Sequence, residues 1–339
     1  MLSSILGMWL LGLTAFAEDA VLRNGHPDQH VVVKGDTLWD ISGTFLRDAW
    51  MWPEIWQVNP QIANPHLIFP GDVINLVYLD GKPRLRVTRG ANSNTVRITP
   101  KMRLSPVDNA IPAIPLEKIN AFLSNSRIVE EGVLDVAPYV IAGSQGHLIT
   151  AAGDELFARG SFAEDDTAYG VFRKGEVYRD PATKELLGIS ALDIGGIKKL
   201  NVDGDIGHFQ INRSNEEIRN EDRLLPSVER RVTATFVPSA PSKEIDGYIA
   251  AVEGGVTQVG FMDIVVLNRG SRDGLEDGNV LAIDRLGDRV LDQIEREWVQ
   301  LPDERAGLLM VFRTYEKMSY GLVLRATQPL KVMDRVHNP

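Results

Sequence analysis

The stretch "HVVVKGDTLWDIS", His30 to Ser42, changes its local structure within a few residues. Its first four residues have the β-branched content of a strand, and from Leu38 onward the apolar residues recur at helical spacing. Between these parts stand Gly35 and Asp36. Glycine readily adopts a left-handed backbone, and an aspartate can cap the exposed amides of a following helix. We therefore predict a strand, a rigid turn, and a helix with Asp36 as its cap.

The neighbouring residues extend this pattern into a compact segment from His30 to Tyr78. The stretch "WPEIWQVNP" predicts a second helix, with Pro53 in its first turn. Asn59 and Pro60 are expected to end that helix, because a residue before proline avoids the α region. "DVINLVYL" has the alternation of a strand. The predicted order is strand, helix, helix, strand, which defines a small α+β module.

Tryptophan is concentrated in this segment. Four of the six tryptophans lie within 18 residues of one another: Trp39, Trp50, Trp52 and Trp56. Each indole can bury up to about 250 Å², which is a large share of the core of so small a module. We expect these side chains to pack in the core. The alternative is that Trp50 or Trp52 forms a stacking platform for sugar.

The composition excludes several classes of function. With 36 basic and 46 acidic residues the formal charge is −10, which offers no broad basic face for nucleic-acid phosphates. The absence of cysteine excludes disulfides, thiolate metal sites and thiol nucleophiles. None of the six histidines stands in a spacing typical of zinc sites. We therefore expect no metal, no cofactor and no nucleic-acid partner.

The N-terminus has the pattern of an export signal. An apolar run over residues 5–13 is followed by an Ala-Phe-Ala sequence that ends at Ala17. The run is shorter than the roughly 20 residues that a membrane span needs. We predict a signal peptide over residues 1–17, a mature chain that starts at Glu18 without a transmembrane segment, and a polar tether over 18–29. The alternative is a short buried helix.

Beyond residue 80 the chain becomes rich in β patterns. "KPRLRVTRG" and "NTVRITPKMRLSP" predict a connecting hairpin within residues 81–130, followed by a short helix from Pro115 to Leu123. Two later segments then resemble each other. "YVIAGSQGHLITAAGDELFARG" from Tyr139 and "YIAAVEGGVTQVGFMDIVVLNRG" from Tyr248 share an aromatic start, a glycine turn and an Arg-Gly end.

The same likeness continues to the end of each segment. One closes with "EDRLLP" at residues 221–226 and the other with "MDRVHNP" at residues 333–339. We predict two copies of one mainly β domain of about 90 residues, over 131–228 and 245–339. A linker over residues 229–244, which includes "VPSAPSKE", joins them. The alternative is a coincidental likeness between two β-rich segments.

Three possible chemical sites have simpler structural explanations. Ser144 in "AGSQG" lies between glycines but lacks an aspartate and a histidine in a convincing chain order, which favours a tight turn. Glu54, among tryptophans, suits the first turn of a helix and needs no catalytic role. The acids of "NVDGDIG", residues 201–207, lack the downstream glutamate of a calcium loop and favour a turn at a strand end. We expect a protein without catalytic activity.

The segment His30 to Tyr78 resembles the LysM module, a small carbohydrate-binding domain of proteins that attach to peptidoglycan or chitin. The likeness is carried by "HVVVKGDTLWDIS", "VNPQI" and "NPHLIFPGDVINL", in that order and at nearly the usual spacing. The connection "RDAWMWPEIW" is a few residues longer than the usual turn between the two helices. We assign residues 30–80 to this module. More loosely, the whole chain resembles proteobacterial exported proteins with one LysM module and a β-rich remainder.

The resemblance implies a shallow groove between two loops, in which N-acetylglucosamine units lie. Their acetamides would bond to the loop backbone and their methyl groups would rest on apolar side chains. The family pattern places Gly35, Asp36, Thr37 and Leu38 on one wall and Asn64, His66, Leu67, Ile68 and Phe69 on the other. Thr37 and Ile68 are expected to face the ligand, while Asp36 holds the turn. Alternatively, Leu38 and Phe69 belong to the core.

These features predict a multi-domain, periplasmic or secreted protein that binds peptidoglycan without cleaving it. The β domains would contact another envelope protein. Two alternatives remain open at this point. One is a cell-wall hydrolase with an unrecognised catalytic domain, and the other is an adaptor of an envelope secretion or flagellar assembly.

Overall fold

The computed structural model describes residues 22–56, 68–88, 114, 119, 122, 126–143, 152–227, 236–253 and 258–339. The predicted signal peptide and the turn at Ser144 lie outside these residues. The chain divides into two compact units, residues 1–111 and 112–339.

The first unit has the predicted order of strand, helix, helix and strand. Its elements are β1 (Gln29–Val31), α1 (Leu38–Phe45), a 3₁₀ turn (Ala49–Met51), α2 (Trp52–Trp56), β2 (Val73–Leu79) and β3 (Lys82–Thr88). The strands form one antiparallel sheet in the order β1-β2-β3. Pro53 lies in the first turn of α2, as expected, whereas Asn59 and Pro60 lie outside the described residues.

The first part of the predicted connecting hairpin, residues 82–88, pairs with β2, and its second part, residues 94–106, lies outside the described residues. Lys82 to Thr88 pair with β2, so that Lys82 lies opposite Leu79 and Thr88 opposite Val73. The physical reason is the turn at Asp80 and Gly81, whose φ angles are 52° and 78°. Two consecutive positive φ angles give the tight turn that suits a two-residue β-hairpin. The sheet that contains β2 therefore continues to residue 88, past the boundary predicted at residue 80.

The tryptophans of the first unit pack mainly in its core, as expected. Trp39, Trp52 and Trp56 are buried, and Trp50 is half-buried. The rings of Trp52 and Trp56 meet edge to face, with centroids 6.4 Å apart. This geometry is the preferred one for aromatic pairs. Together with the apolar face of α1, the indoles hold the helices against the sheet.

The first β domain of the second unit contains seven strands and a short helix. They are β4 (Ser126–Val129), α3 (Val133–Val136), β5 (Tyr139–Gly143), β6 (Glu155–Arg159), β7 (Ala168–Arg179), β8 (Leu186–Asp203), β9 (Ile206–Ser214) and β10 (Arg223–Pro226). The strand order is β4-β8-β7-β10-β5-β6-β9, and β8 also pairs with β9. Strands β5 to β10 thus pair in a closed ring. The "NVDGDIG" stretch is the hairpin turn between β8 and β9, which confirms its reading as a turn.

The second β domain is a closed barrel of six strands. They are β11 (Asp246–Val252), β12 (Ile264–Leu267), β13 (Val280–Arg285), β16 (Glu304–Thr314), β17 (Ser319–Ala326) and β18 (Arg335–His337), in the order β11-β12-β17-β16-β13-β18. A separate ribbon of β14 (Arg289–Leu291) and β15 (Trp298–Gln300) is inserted between β13 and β16. When each set of six is numbered along the chain, both have the cyclic order 1-2-5-4-3-6. The two domains therefore share one pairing scheme.

The predicted linker is partly incorporated into the second domain. Ser239 forms a bridge with Asn279, and its backbone bonds to Gly278 and Val280. Pro238 and Pro241 are buried. The reason is that β13 has a free edge beside Asn279, which this segment satisfies. Of the predicted helix over 115–123, Ile119 and Phe122 are helical and buried, and the Phe122 ring contacts Phe312 and Tyr320.

One turn recurs in both units. A residue with positive φ precedes an aspartate or asparagine, whose side-chain oxygen accepts the backbone N–H three residues earlier at 2.8 to 3.1 Å. The later residue's own N–H returns a bond to the same earlier residue. Among the described residues the turn occurs at Gly35-Asp36, Gly71-Asp72, Glu221-Asp222, Met262-Asp263, Gly278-Asn279 and Met333-Asp334. The Gly-Asp pair of the opening stretch is one example of it.

Candidate glycan-binding site

The first loop of the site is fastened by Asp36. Its carboxylate accepts the N–H of Val33 at 3.0 Å and lies 2.8 Å from Nε2 of His30. Gly35 has φ +102°, which residues with a side chain rarely adopt. These bonds close the loop onto the end of β1. Asp36 therefore holds the turn, as expected.

The helix cap is Thr37, which corrects the prediction that Asp36 caps α1. Helix α1 begins at Leu38, and Thr37 has the extended backbone of a cap residue, with φ −118° and ψ 160°. Its hydroxyl accepts the N–H of Asp40 at 3.1 Å and donates to the Asp40 carboxylate at 2.6 Å. The Asp36 carboxylate is directed instead toward Val33 and His30, and both contacts use its Oδ2.

The second loop is fastened in the same way by Asp72. Its carboxylate accepts the N–H of Phe69 at 3.1 Å, and its own N–H donates to the Phe69 carbonyl at 3.0 Å. Gly71 between them has φ +97°. Pro70 fixes a further backbone angle. The loop is thus rigid from Phe69 to the start of β2.

The two loops are joined by backbone hydrogen bonds. The N–H of Val32 donates to the Asp72 carbonyl at 2.9 Å, and the N–H of Gly71 donates to the Val32 carbonyl at 2.8 Å. Both loops consequently lie side by side at one end of the sheet. Sequence reasoning did not single out Asp72, although the Gly-Asp pair in each loop was the available signal.

The predicted wall residues differ in what they can offer a ligand. The side chains of Thr37 and Ile68 are 4% and 0% exposed, which corrects the expectation that both face a ligand. Leu38 is also in the core, in agreement with its alternative reading. Phe69 is half-buried, and Gly35 is exposed. The three further wall residues, Asn64, His66 and Leu67, lie outside the described residues.

The chemistry available at this end of the sheet includes exposed backbone amides and the aromatic ring of Phe69. The N–H groups of Lys34 and Gly35 have no hydrogen-bond partner within the described ranges. Both residues are exposed. Such donors match the carbonyl of an acetamide group, and the Phe69 ring offers an apolar contact. The arrangement suits binding of a neutral sugar chain.

Metal chemistry has no support from the described residues. Within the part of the chain that the structure describes, no three histidine, aspartate or glutamate side chains are grouped so that they could hold a metal ion. Glu54 is exposed on the first turn of α2. Across the same described residues, no helix combines the length and the apolar character needed to cross a membrane.

Comparison with known proteins gives the same class of module. The family model described as the LysM domain matches residues 30–77. Residues 30–77 are therefore a LysM domain. This match supports binding of peptidoglycan or related glycans. A stretch of 60 residues is 40% identical to the "Uncharacterized protein YqbP" of Bacillus subtilis (strain 168) and covers 15% of this chain. The match spans 27% of that relative's length.

Proposed function

We propose that this protein binds peptidoglycan glycan chains without cleaving them and thereby anchors its two β domains in the cell envelope. The observation that carries the proposal is the joined pair of loops. Both are closed by Gly-Asp turns, and they are linked through Val32, Gly71 and Asp72. A preorganised site loses less conformational entropy when a flexible glycan binds.

The proposed contacts combine the loop backbone with few side chains. Backbone groups from Gly35 to Leu38 form one wall. On the other wall we propose Phe69, with Asn64, His66 and Leu67 assigned from the family resemblance. Ile68 would support this wall from the core. A few hydrogen bonds of about 0.5 to 1.5 kcal/mol each, with modest apolar contact, give about 4 to 7 kcal/mol for a short oligomer.

Binding to a soluble fragment is therefore weak, whereas retention on intact wall material is stronger. A sacculus offers a high local density of glycan, so that a released module rebinds at once. The experiment that tests the proposal is cosedimentation of the full chain with purified sacculi. Phe69→Ala should lower the sedimented fraction, and Tyr78→Ala is the matched control, because Tyr78 is a 60% exposed aromatic residue on β2. Equal retention of both variants would place the binding surface elsewhere.

The β domains are proposed to be two copies of one domain that contacts another envelope protein. Their common pairing order supports this duplication. So does a matching pair of backbone bonds: Val140 exchanges bonds with Glu221 and Asp222, as Ile249 does with Met333 and Asp334. Superposition of the two domains tests the duplication. A superposition that failed to match the six strands would leave the shared order a coincidence.

Export to the periplasm or the medium, through cleavage after Ala17, is part of the same proposal. The Ala-Phe-Ala pattern supports it. Intact-mass measurement of the cellular protein should give a chain that starts at Glu18, and retention of Met1 would contradict export. The rival function is a cell-wall hydrolase. We expect no lysis band from the full chain in a zymogram on peptidoglycan, and a clear band would favour the rival.

A further inference from the structure

The two β domains carry hairpin tips that are built in the same way. Tip one is Asp180–Glu185, between β7 and β8, and tip two is Asp292–Glu297, between β14 and β15. In each tip the first aspartate donates its N–H to the carbonyl of the final glutamate, at 2.9 and 2.8 Å. Each aspartate also accepts two N–H bonds from the turn through Oδ1. Lys184 and Arg296, at equivalent positions, have φ angles of 65° and 56°.

Tip one is docked on the second β domain through its two carboxylates. The second carboxylate oxygen of Asp180, Oδ2, accepts a hydrogen bond from the Asn268 amide at 2.7 Å. Glu185 accepts two bonds from the guanidinium of Arg272, both at 2.8 Å. Lys317 lies 3.3 Å from the same carboxylate. The receiving surface, which we call the basic rim, consists of Asn268, Arg272 and Lys317.

The stem behind tip one is buried by the same contact. Tyr178 is 3% exposed, its hydroxyl donates to Glu253 at 3.0 Å, and its ring meets that of Tyr320. Leu187 on the opposite strand is also buried. Hence the docked hairpin uses an apolar stem as well as two carboxylates.

Tip two carries the same aspartate and glutamate, but no described residue packs over its apolar stem. Val290 and Val299 occupy the positions of Tyr178 and Leu187, and they are 40% and 38% exposed. Trp298 and Ile294 beside them are exposed as well. No partner among the described residues contacts Oδ2 of Asp292 or the Glu297 carboxylate, the counterparts of the two docked groups in tip one. An apolar ribbon of this kind on a soluble surface marks an interaction site.

We propose that tip two binds a β domain of another protein, whose edge presents an amide and a guanidinium in the way the basic rim does. The interface between tip one and the basic rim shows that this type of turn binds an amide and a guanidinium. The carboxylates of tip two are complementary to the same groups. This inference rests on the proposed role of the β domains in contacting another protein. It does not depend on glycan binding.

A second copy of this chain does not fit tip two. The basic rim of the second domain is already occupied by tip one. When the Arg-Gly pairs at the ends of β6 and β12, Arg159-Gly160 and Arg269-Gly270, are aligned, the first domain has Ala158 and Phe162 where the second has Asn268 and Arg272. The acids of residues 164–166 follow there. They would repel the carboxylates of tip two.

The test is site-specific crosslinking from tip two in the full chain. The photoreactive residue p-benzoylphenylalanine replaces Ile294, which is 90% exposed, in cells that produce the protein. Glu297→Lys reverses the charge at the proposed contact. Glu295→Lys is the matched control, because the equivalent residue of tip one, Thr183, makes no side-chain contact with the basic rim in the described residues. We expect a heterologous adduct that Glu297→Lys reduces about tenfold and Glu295→Lys retains.

The adduct must also identify the predicted chemistry. Mapping should place it on a β domain beside an arginine or lysine, and Arg→Glu or Lys→Glu there should restore the adduct with Glu297→Lys. The proposal is overturned by equal loss in both variants, by an adduct with a second copy, or by no adduct. Flotation of the protein with phosphatidylethanolamine–phosphatidylglycerol vesicles, lost on Trp298→Ala, would also overturn it. Sacculus cosedimentation of the same variants keeps a failure of glycan binding distinguishable from a failure at tip two.

Discussion

The side-chain amide of Asn268 donates to the carboxylate of Asp180 across 2.7 Å, and the two residues are 2% and 4% exposed. This bond joins the two β domains at a site closed to water. Burial alone raises the pKa of the Asp180 carboxyl, but hydrogen bonds from Thr183, Asn268 and Ala182 outweigh it and leave the pKa lowered. The carboxylate therefore stays ionised and depends on its donors.

Removal of the Asn268 donor should destabilise the second unit. Asn268→Ala leaves a buried oxygen of an ionised Asp180 without its partner, which costs about 1 to 3 kcal/mol. Urea denaturation of the full chain measures this change in the free energy of unfolding. The control is Asn201→Ala, because Asn201 is exposed and bonds to its neighbour's backbone. An equal effect from both variants would contradict a special role for the buried bond.

The contact between Glu185 and Arg272 should weaken in acid. The Arg272 hydrogen bonds, partly opposed by burial and assisted by Lys317, lower the pKa of the Glu185 carboxyl to about 2. Because the folded value lies below the unfolded value of about 4.3, the stabilisation is complete above that pH and is lost as the pH falls toward 2. Glu185→Gln should flatten the decline of stability over this range. Denaturation curves at pH 2 to 6 measure it, and parallel curves for the two proteins would contradict the linkage.

Glu253 should show the opposite dependence. Burial, with the nearby charge of Glu176, raises the pKa of its carboxyl despite the hydrogen bond from Tyr178. A raised folded pKa means that stability is greatest below the unfolded value and declines as the pH rises through the folded value. Glu253→Gln should remove this decline and gain stability relative to wild type between pH 4 and pH 8. A constant difference between the two proteins across that range would contradict the prediction.

Loss of the cap at Thr37 should destabilise the LysM domain. Thr37→Ala removes the acceptor for the Asp40 N–H and should cost about 1 kcal/mol. Thr37→Ser keeps the hydroxyl and should restore most of that loss. Tryptophan fluorescence reports the transition, because four of the six tryptophans lie in this domain. If the alanine and serine variants melted alike, the hydroxyl would not be the stabilising group.

The order of elements in the LysM domain could be predicted because its signals are local. The β-branched run, the Gly-Asp turn and the helical spacing each lie within a few residues. Which residue caps the first helix could not be predicted, because Asp36 and Thr37 are both good cap residues. In the structure Thr37 is the cap, and the Asp36 carboxylate contacts His30, six residues before it in sequence.

The errors in the β-rich part also have a physical basis. The module boundary predicted at residue 80 falls in the turn of the β2–β3 hairpin. Which strand pairs with Lys82–Thr88 is a question of tertiary structure. The docking of tip one was beyond prediction, since Asp180 and Asn268 are 88 residues apart in sequence. The closing "EDR" and "MDR" motifs, which carried the likeness of the two segments, contain Asp222 and Asp334, whose carboxylates form matching turns.

The pairing of Thr88 with Val73 has a consequence for how the sheet of the first unit would respond to mechanical load. Thr88 lies at the same end of the sheet as the loop after β1 and the loop before β2. If glycan holds these loops while tension acts on the chain beyond Thr88, the pull acts on the last ladder bonds first. Strand β3 would then detach by unzipping, one bond after another, rather than by simultaneous shear of the whole ladder. Detachment of β3 would therefore lengthen the chain at modest force while the glycan stays bound.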